Sequence, residues 1–201
     1  MTHSNWITLS RELKAIAEAG LRYSDGPYDI QRYQRLHELS SLPMQAAAPD
    51  FKWPVEFGYS TPKVDVRAAV IDDQQRILLV QEAASRLWTL PGGWADVNLT
   101  PSQNAAKETR EESGIEIKVS KLIACWDKDH QGHPSQPEHV YKLVFLCHPV
   151  GGKLQHSIET TGAGFFSRSE IPELCPWRAA PHYLDLAWKH HHDPTLPTAF
   201  D

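Results

Sequence analysis

Three glutamates close together in the chain have the spacing of a chemical site. Glu108, Glu111 and Glu112 stand at i, i+3 and i+4, which on a helix puts all three on one face. Near a helix C-terminus each acid meets the negative end of the dipole, at roughly 0.3–1 kcal/mol apiece, and mutual repulsion adds to that. Lys107 and Arg110 offset only part of the cost. Two readings follow: a solvated acidic face, or a site for a hard divalent cation such as Mg²⁺, which prefers clustered carboxylates. Upstream, Pro91-Gly92-Gly93 follows a short strand-like run, Trp88-Thr89-Leu90. Glycines there make either a tight turn or a place where backbone approaches an ion or phosphate closely.

The element that must carry the glutamates is well marked. Thr100 is a good N-cap, Pro101 suits the first helical position, and Gln103 sits where it completes a capping box. Gly114 suits a left-handed C′ residue, with Ile115 supplying its hydrophobic contact. Around this helix the pattern is strand-like. Val64, Val66, Ala68 and Val70 alternate with Asp65, Arg67, Ala69 and Ile71; a turn at 72–75 and the run 76–80 complete a predicted hairpin. Ile115 to Trp126 and His139 to Cys147 form two further strands, with a polar loop from Asp127 to Pro137 between them. Pro181 opens a last helix through Trp188, and the tail from Asp193 is expected to fray.

The first fifty residues read as two helices. Trp6, Leu9, Leu13, Ile16, Ala17 and Leu21 form one apolar stripe. After a break at Ser24-Asp25-Gly26-Pro27, Asp29 is the expected cap of the second helix. Two helices cannot bury both faces alone, so they pack on the rest of the chain or on a second copy. The expected organisation is residues 1–50 as a helical domain and 51–201 as the domain holding the glutamates.

The segment L-P-G-G-W-A-D-V, followed by K-E-x-x-E-E-S-G-I, resembles the Nudix hydrolases, which carry G-x5-E-x7-R-E-U-x-E-E-x-G-U with U a bulky aliphatic residue. Gly93, Glu108, Glu111, Glu112, Gly114 and Ile115 match in place. Leu99 stands where the first Glu belongs, Lys107 replaces Arg and Thr109 replaces the aliphatic residue. The helical N-terminus and the run D-K-D-H-Q-G-H-P…H-V-Y-K resemble the subgroup described as CDP-choline pyrophosphatases or ADP-ribose pyrophosphatase-like enzymes.

The resemblance implies an α/β/α sandwich with a mixed sheet, preceded by a small two-helix domain. It implies hydrolysis of the diphosphate bond in a nucleoside diphosphate joined to another moiety, with two or more Mg²⁺ (or Mn²⁺) ions. Glu108, Glu111, Glu112 and the Gly92 carbonyl are the expected metal ligands. Glu111, Glu108 and Lys107 are the expected catalytic set, with Glu111 either a further ligand or the base and Lys107 orienting it. Candidate substrate contacts are Arg67, read otherwise as an edge-strand snorkelling arginine; Trp126 and Tyr141, which stack on a base or pack in the core; and Glu159, the acid nearest to Gly162 and Gly164, where a further loop carboxylate is expected. Two alternatives stay open: a hydrolase acting on RNA ends, and a Nudix-fold binding module with impaired catalysis, the latter prompted by Leu99.

Composition narrows the field. In 201 residues the hydrophobic fraction is 41% and the charged fraction 22%, which suits a globular chain. A net charge of −5 disfavours nucleic-acid binding through bulk positive charge. No run approaches the ~20 apolar residues of a membrane span. Three distant cysteines, Cys125, Cys147 and Cys175, with no C-x-x-C, point to a reduced, cytoplasmic protein. The subgroup and the apolar stripe together point to a homodimer.

Overall fold

The computed structural model describes residues 3–46, 48–54, 56 and 58–201. The chain divides into two compact units. The first comprises residues 1–62 and the short segment 135–139, and the second residues 63–134 and 140–201.

In the first unit α1 (His3–Tyr23) packs on α2 (Pro27–Gln45). The backbone of Gly20 meets the ring of Tyr33 so closely that a Cβ would sit 2.3 Å from it. The second helix starts with Gly26 as N-cap and Pro27 in the first turn, not with Asp29. Proline has no N–H to satisfy and its φ is already helical, so Asp29 falls inside the first turn and pairs with Arg32 at 2.8 Å.

The buried face of α1 is Ile7, Ser10, Lys14, Ala17 and Glu18, and Ile7 packs with Met44, Trp53 and Phe51. Lys14 is tolerated there because its ammonium pairs with Glu18 at 3.0 Å and Glu56 at 2.9 Å. Of the predicted stripe, Ala17 faces this core, whereas Trp6 and Ile16 remain 42% and 48% exposed. Arg11 holds the 135–139 segment through the carbonyls of Pro137 and Glu138, at 2.8 and 2.9 Å.

The second unit contains two sheets. One has the order β1 (Lys63–Val70), β5 (Val140–Gly152), β4 (Ile115–Asp127) and β7 (Ala199–Phe200); the other has β3 (Trp88–Thr89), β2 (Ile77–Glu82) and β6 (Thr160–Phe166). The first is mixed: β1 runs parallel to β5, and β4 is antiparallel to β5 but parallel to β7. The predicted hairpin is not formed. After one bridge at Ile71 and Ile77 the strands part, and β2 pairs antiparallel with β3 and β6 instead. Burial gives the reason: every residue from Val66 to Ile71 is at most 1% exposed, so β1 is covered on both faces and cannot be the half-solvated arm of a hairpin.

Two cores follow from those faces. Ala69, Ile71, Ile77 and Leu79 pack with Tyr183, Leu184, Ala187 and Trp188 of α4 (Pro181–His192). Val66, Ala68, Val70 and Leu78 pack with Ala105 of α3 (Pro101–Ser113). The second unit is therefore an α/β/α sandwich, with the two-helix segment preceding it in the chain. No helix among the described residues is long and apolar enough to cross a membrane.

The C-terminal tail is ordered rather than frayed. Lys121 donates to the carbonyls of Pro194 and Leu196 at 2.9 and 2.7 Å, Thr198 donates to Leu122 at 2.8 Å, and β7 adds to the sheet. Deleting residues 194–201 should lower the melting temperature by several degrees, because these bonds and an edge strand are lost together. An unchanged melting curve would show that the tail contributes nothing.

Candidate active site

The helix α3 forms as its sequence directs. The Thr100 side chain accepts from Gln103 N–H, the Gln103 side chain accepts from Thr100 N–H, and Gly114 closes the helix in the left-handed region at φ 74°. Its packed face is Ala105, Thr109 and Ser113. The threonine that replaces an aliphatic residue is fully buried yet satisfied, its hydroxyl donating to the Ala105 carbonyl at 2.7 Å. The glutamates take the other faces.

The Pro91-Gly92-Gly93 loop is fastened to β1. Ala68 N–H donates to the Pro91 carbonyl at 2.9 Å and Val66 N–H to the Gly93 carbonyl at 2.8 Å. At Gly92 φ is +138°, and a Cβ would fall 2.0 Å from the Val66 carbonyl, so no other residue fits. With its neighbours' carbonyls spent, the Gly92 carbonyl is the loop's candidate donor to a cation.

Loop and helix meet at two carboxylates. Gly92 N–H donates to Glu112 at 2.8 Å, and a Cβ on Gly93 would lie 3.0 Å from a Glu108 oxygen. Thr160 ties the helix end to β6 by donating to the Glu112 carbonyl at 2.8 Å. Burial pushes the Glu112 carboxyl up to about 7; the charge of Arg67 and the Gly92 N–H pull the other way, and Glu108 adds to the rise. Burial also raises Glu108, against Lys107. Two half- to mostly-buried acids raised in this way form a donor set whose charge a hard cation would compensate.

Glu111 stands apart from that pair. Its carboxylate accepts from Lys107 at 2.8 Å, and the same ammonium lies 3.1 Å from Asp96 and 3.5 Å from Glu108. Among the described residues no three acid, imidazole or thiol groups already converge as a complete shell for an ion.

The other candidates are dispersed. Arg67 does not snorkel: it is 1% exposed, its Nε and Nη2 donate to Asp65 at 2.8 and 2.7 Å, and its Nη1 donates to the Leu90 carbonyl at 3.1 Å. Trp126 is a core residue, 8% exposed, with its ring 4.8 Å from that of Tyr183, so its burial supports the packing reading. Tyr141 is exposed on β5, opposite in facing to its buried neighbour Lys142. Glu159 is exposed just ahead of β6, and its carbonyl accepts from Ala83 N–H at 2.8 Å.

Several residues that matter here were not singled out by sequence pattern. Asp65 joins Arg67 to Lys142, which it meets at 3.0 Å. Burial works against the Asp65 charge, yet the two cations hold its carboxyl well below the usual range. Burial lowers Lys142 to about 8, against the attraction of Asp65. Asn104 is buried and organises the loop ahead of the helix: its oxygen accepts from Asp96 N–H at 2.8 Å, and its amide reaches the carbonyls of Asp96, Leu99 and Thr100 at 3.3–3.4 Å. A polar side chain among helix residues was the available signal, and only the fold shows that it turns back to the loop. Leu99 itself is 37% exposed.

Asn104 therefore organises the loop in which Leu99 stands. Asn104→Ala should cost more turnover, about tenfold or more, than Leu99→Glu, which should retain activity and lower the Mg²⁺ concentration giving half-maximal rate. Titrating Mg²⁺ against initial rate in both variants checks the order; a rise in that concentration for Leu99→Glu would show that the acid is unwelcome.

Comparison with known proteins agrees with this geometry. The NUDIX domain family matches residues 61–197, and the UDP-X-like, N-terminal oligomerisation domain matches residues 4–50. YjhB of Bacillus subtilis (strain 168), whose name provisionally makes it an ADP-ribose pyrophosphatase, is 39% identical over 98% of both chains. The crystal structure of an ADP-ribose pyrophosphatase from Streptococcus suis 89-1591 superposes with a TM-score of 0.64 at 38% identity, covering 70% of this chain and all of that one. That of a UDP-X diphosphatase gives 0.64 at 30% identity over the whole of both chains. The chain belongs to the NUDIX family and is an enzyme of it, a Nudix pyrophosphohydrolase.

Proposed function

We propose that this enzyme hydrolyses the diphosphate linkage of a nucleoside diphosphate joined to a second moiety, of the ADP-ribose, UDP-X or CDP-choline kind. The observation that carries the reading is the pair Glu108 and Glu112 set against the Gly92–Gly93 loop, with Glu112 buried and fixed by Gly92 N–H. The relatives' names support the substrate class. We assign two or more Mg²⁺ or Mn²⁺ ions to Glu108, Glu112 and the Gly92 carbonyl. Bound there, divalent cations supply positive charge against the charge that develops on the diphosphate.

The chain's own residues have separable parts. Glu108 and Glu112 offer oxygens from a rigid helix, and the Gly92 N–H orients one of them. Glu111, held by Lys107 at 2.8 Å, is assigned as proton acceptor for the attacking water. Tyr141 and Glu159 are exposed and remain substrate-side candidates. The free thiols of Cys125, Cys147 and Cys175 support a cytoplasmic setting.

Glu112→Gln tests the assignment in two ways. Turnover at saturating Mg²⁺ should fall about 10²–10³-fold, as for loss of one preorganised charge; wild-type turnover would sink the metal site. Stability without metal should move oppositely. The folded carboxyl titrates near 7 and the ordinary one at 4.5, so the native state holds the extra proton between those values. The contribution of this carboxyl to stability falls as pH rises from 4.5 and is lowest above 7. The glutamine variant escapes that loss, so with chelator its melting temperature should exceed the parent's by a few degrees at pH 8 and match it at pH 4.

The assembly we propose is a homodimer built on α1. The stripe at Trp6, Leu9, Leu13 and Ile16 lies off the packed face, with Trp6 and Ile16 42% and 48% exposed, and the oligomerisation-domain match spans it. Symmetric pairing is the commonest way to cover such a face. Sedimentation should give a dimer at micromolar concentration, and Ile16→Glu should shift it to monomer; a monomeric parent rejects the assembly. We propose further that this helical domain contributes to the substrate pocket, so a chain starting near Phe51 should lose turnover.

A further inference from the structure

The run D-K-D-H-Q-G-H-P…H-V-Y-K has no part in the metal site, yet its basic residues converge on one turn. Lys142 donates to the Arg178 carbonyl at 3.2 Å. His133 is kept neutral, burial lowering it to about 4, so its Nδ1–H donates to the Pro176 carbonyl at 2.7 Å while Nε2 accepts from the Tyr183 hydroxyl at 2.7 Å. The Lys128 ammonium lies 5.6 Å from the ring centroid of Trp177. The turn also closes on itself, through Arg178 N–H and Ala179 N–H to the Cys175 carbonyl, and is tied to β3 through Cys175 N–H to Trp88. Five residues, Cys175–Ala179, are thus held from several sides.

That rigidity presents one side chain. Two arginines lie near Glu112: Arg67, whose Nη1 bonds the Leu90 carbonyl just ahead of the glycine loop, and Arg178, whose partner Glu82 stands opposite Thr160 in the β2–β6 ladder, Thr160 in turn donating to the Glu112 carbonyl. Arg67 is buried and committed to Asp65 and Leu90. The Arg178 side chain is 47% exposed and ion-paired with Glu82 through Nε. A guanidinium has five N–H donors in a planar fork, more than one carboxylate takes up. An arginine that is half in solvent, oriented by a carboxylate, and on the Glu112 side of the site has the geometry for a bidentate anion contact.

We propose that Arg178 binds a phosphate oxygen of the substrate, its turn held in place by Lys142, His133 and Lys128. This rests on the proposed function, and it moves to Arg178 the substrate contact that sequence pattern attached to Arg67. Preorganisation is the physical advantage, since a held turn loses little entropy when the anion arrives.

The test uses the full chain and ADP-ribose. Arg178→Ala should raise KM about 10- to 100-fold, the loss expected for a hydrogen bond to a charged group, with an unchanged melting temperature. Arg178→Lys should recover part of that loss, keeping the charge but not the fork. Calorimetric titration of ADP-ribose in excess chelator should show weaker binding to Arg178→Ala than to the parent. Arg168→Ala, which removes another half-exposed arginine, paired with Asp185, should leave all of these values unchanged. A parent that hydrolyses ADP-ribose while Arg178→Ala keeps its KM and its metal-free affinity overturns the role of Arg178 alone. A parent that neither binds nor hydrolyses any nucleoside diphosphate derivative overturns the proposed function, and Arg178 with it.

Discussion

A single buried carboxylate, Asp65, sets much of the second unit. It accepts from Arg67 and Lys142, side chains that are each 1% exposed. Three charges out of water would cost several kcal/mol apiece if unpaired. Here each has a partner, and the surplus donors reach the Leu90 and Arg178 carbonyls. One network therefore holds the entrance to the glycine loop and the turn carrying Arg178, while the main chain of β1 holds the loop itself through Val66 and Ala68.

The acid-rich helix α3 is built against its own electrostatics. Carboxylates cluster toward its negative end, and burial of Glu112 compounds the cost. What offsets this is local and tertiary together: a complete capping box, a left-handed glycine at the end, a small-residue face on the sheet, and Thr160 on the last turn. The Gly92 N–H and the charge of Arg67 relieve part of the cost at Glu112.

Legibility varied by interaction range. Both ends of α3 were readable because capping depends on residues three or four apart, and the Glu108–Glu111–Glu112 face followed from helix geometry. The strands β4 and β5 were readable as runs, but the β1–β2 hairpin was misread. A tight turn at 72–75 fits a hairpin equally well, and only the pairing of β1 with β5, some 77 residues away in register, separates the two strands into different sheets. In the same way the tail looked free because its bonds go to Lys121 and Leu122, far back in the chain.

By itself the sequence determined the family signature, the acid-bearing helix with its caps, and the division into a helical start and a sheet-rich remainder, since each is written in residues close along the chain. The tertiary structure alone decided that the Glu108–Glu112 edge of the helix meets the glycine loop, whereas the Lys107–Glu111 pair, four residues apart, was already legible in the helix. It also decided that Arg67 is spent inside while Arg178 reaches solvent, and that Asn104 turns back to the loop ahead of its helix. The physical reason is common to all of these. A side chain's role depends on what desolvates it and what neutralises it: for Lys142 and Arg178 the neutralising partner lies tens of residues away, and Arg67, though paired with nearby Asp65, is buried because β1 lies beside β5.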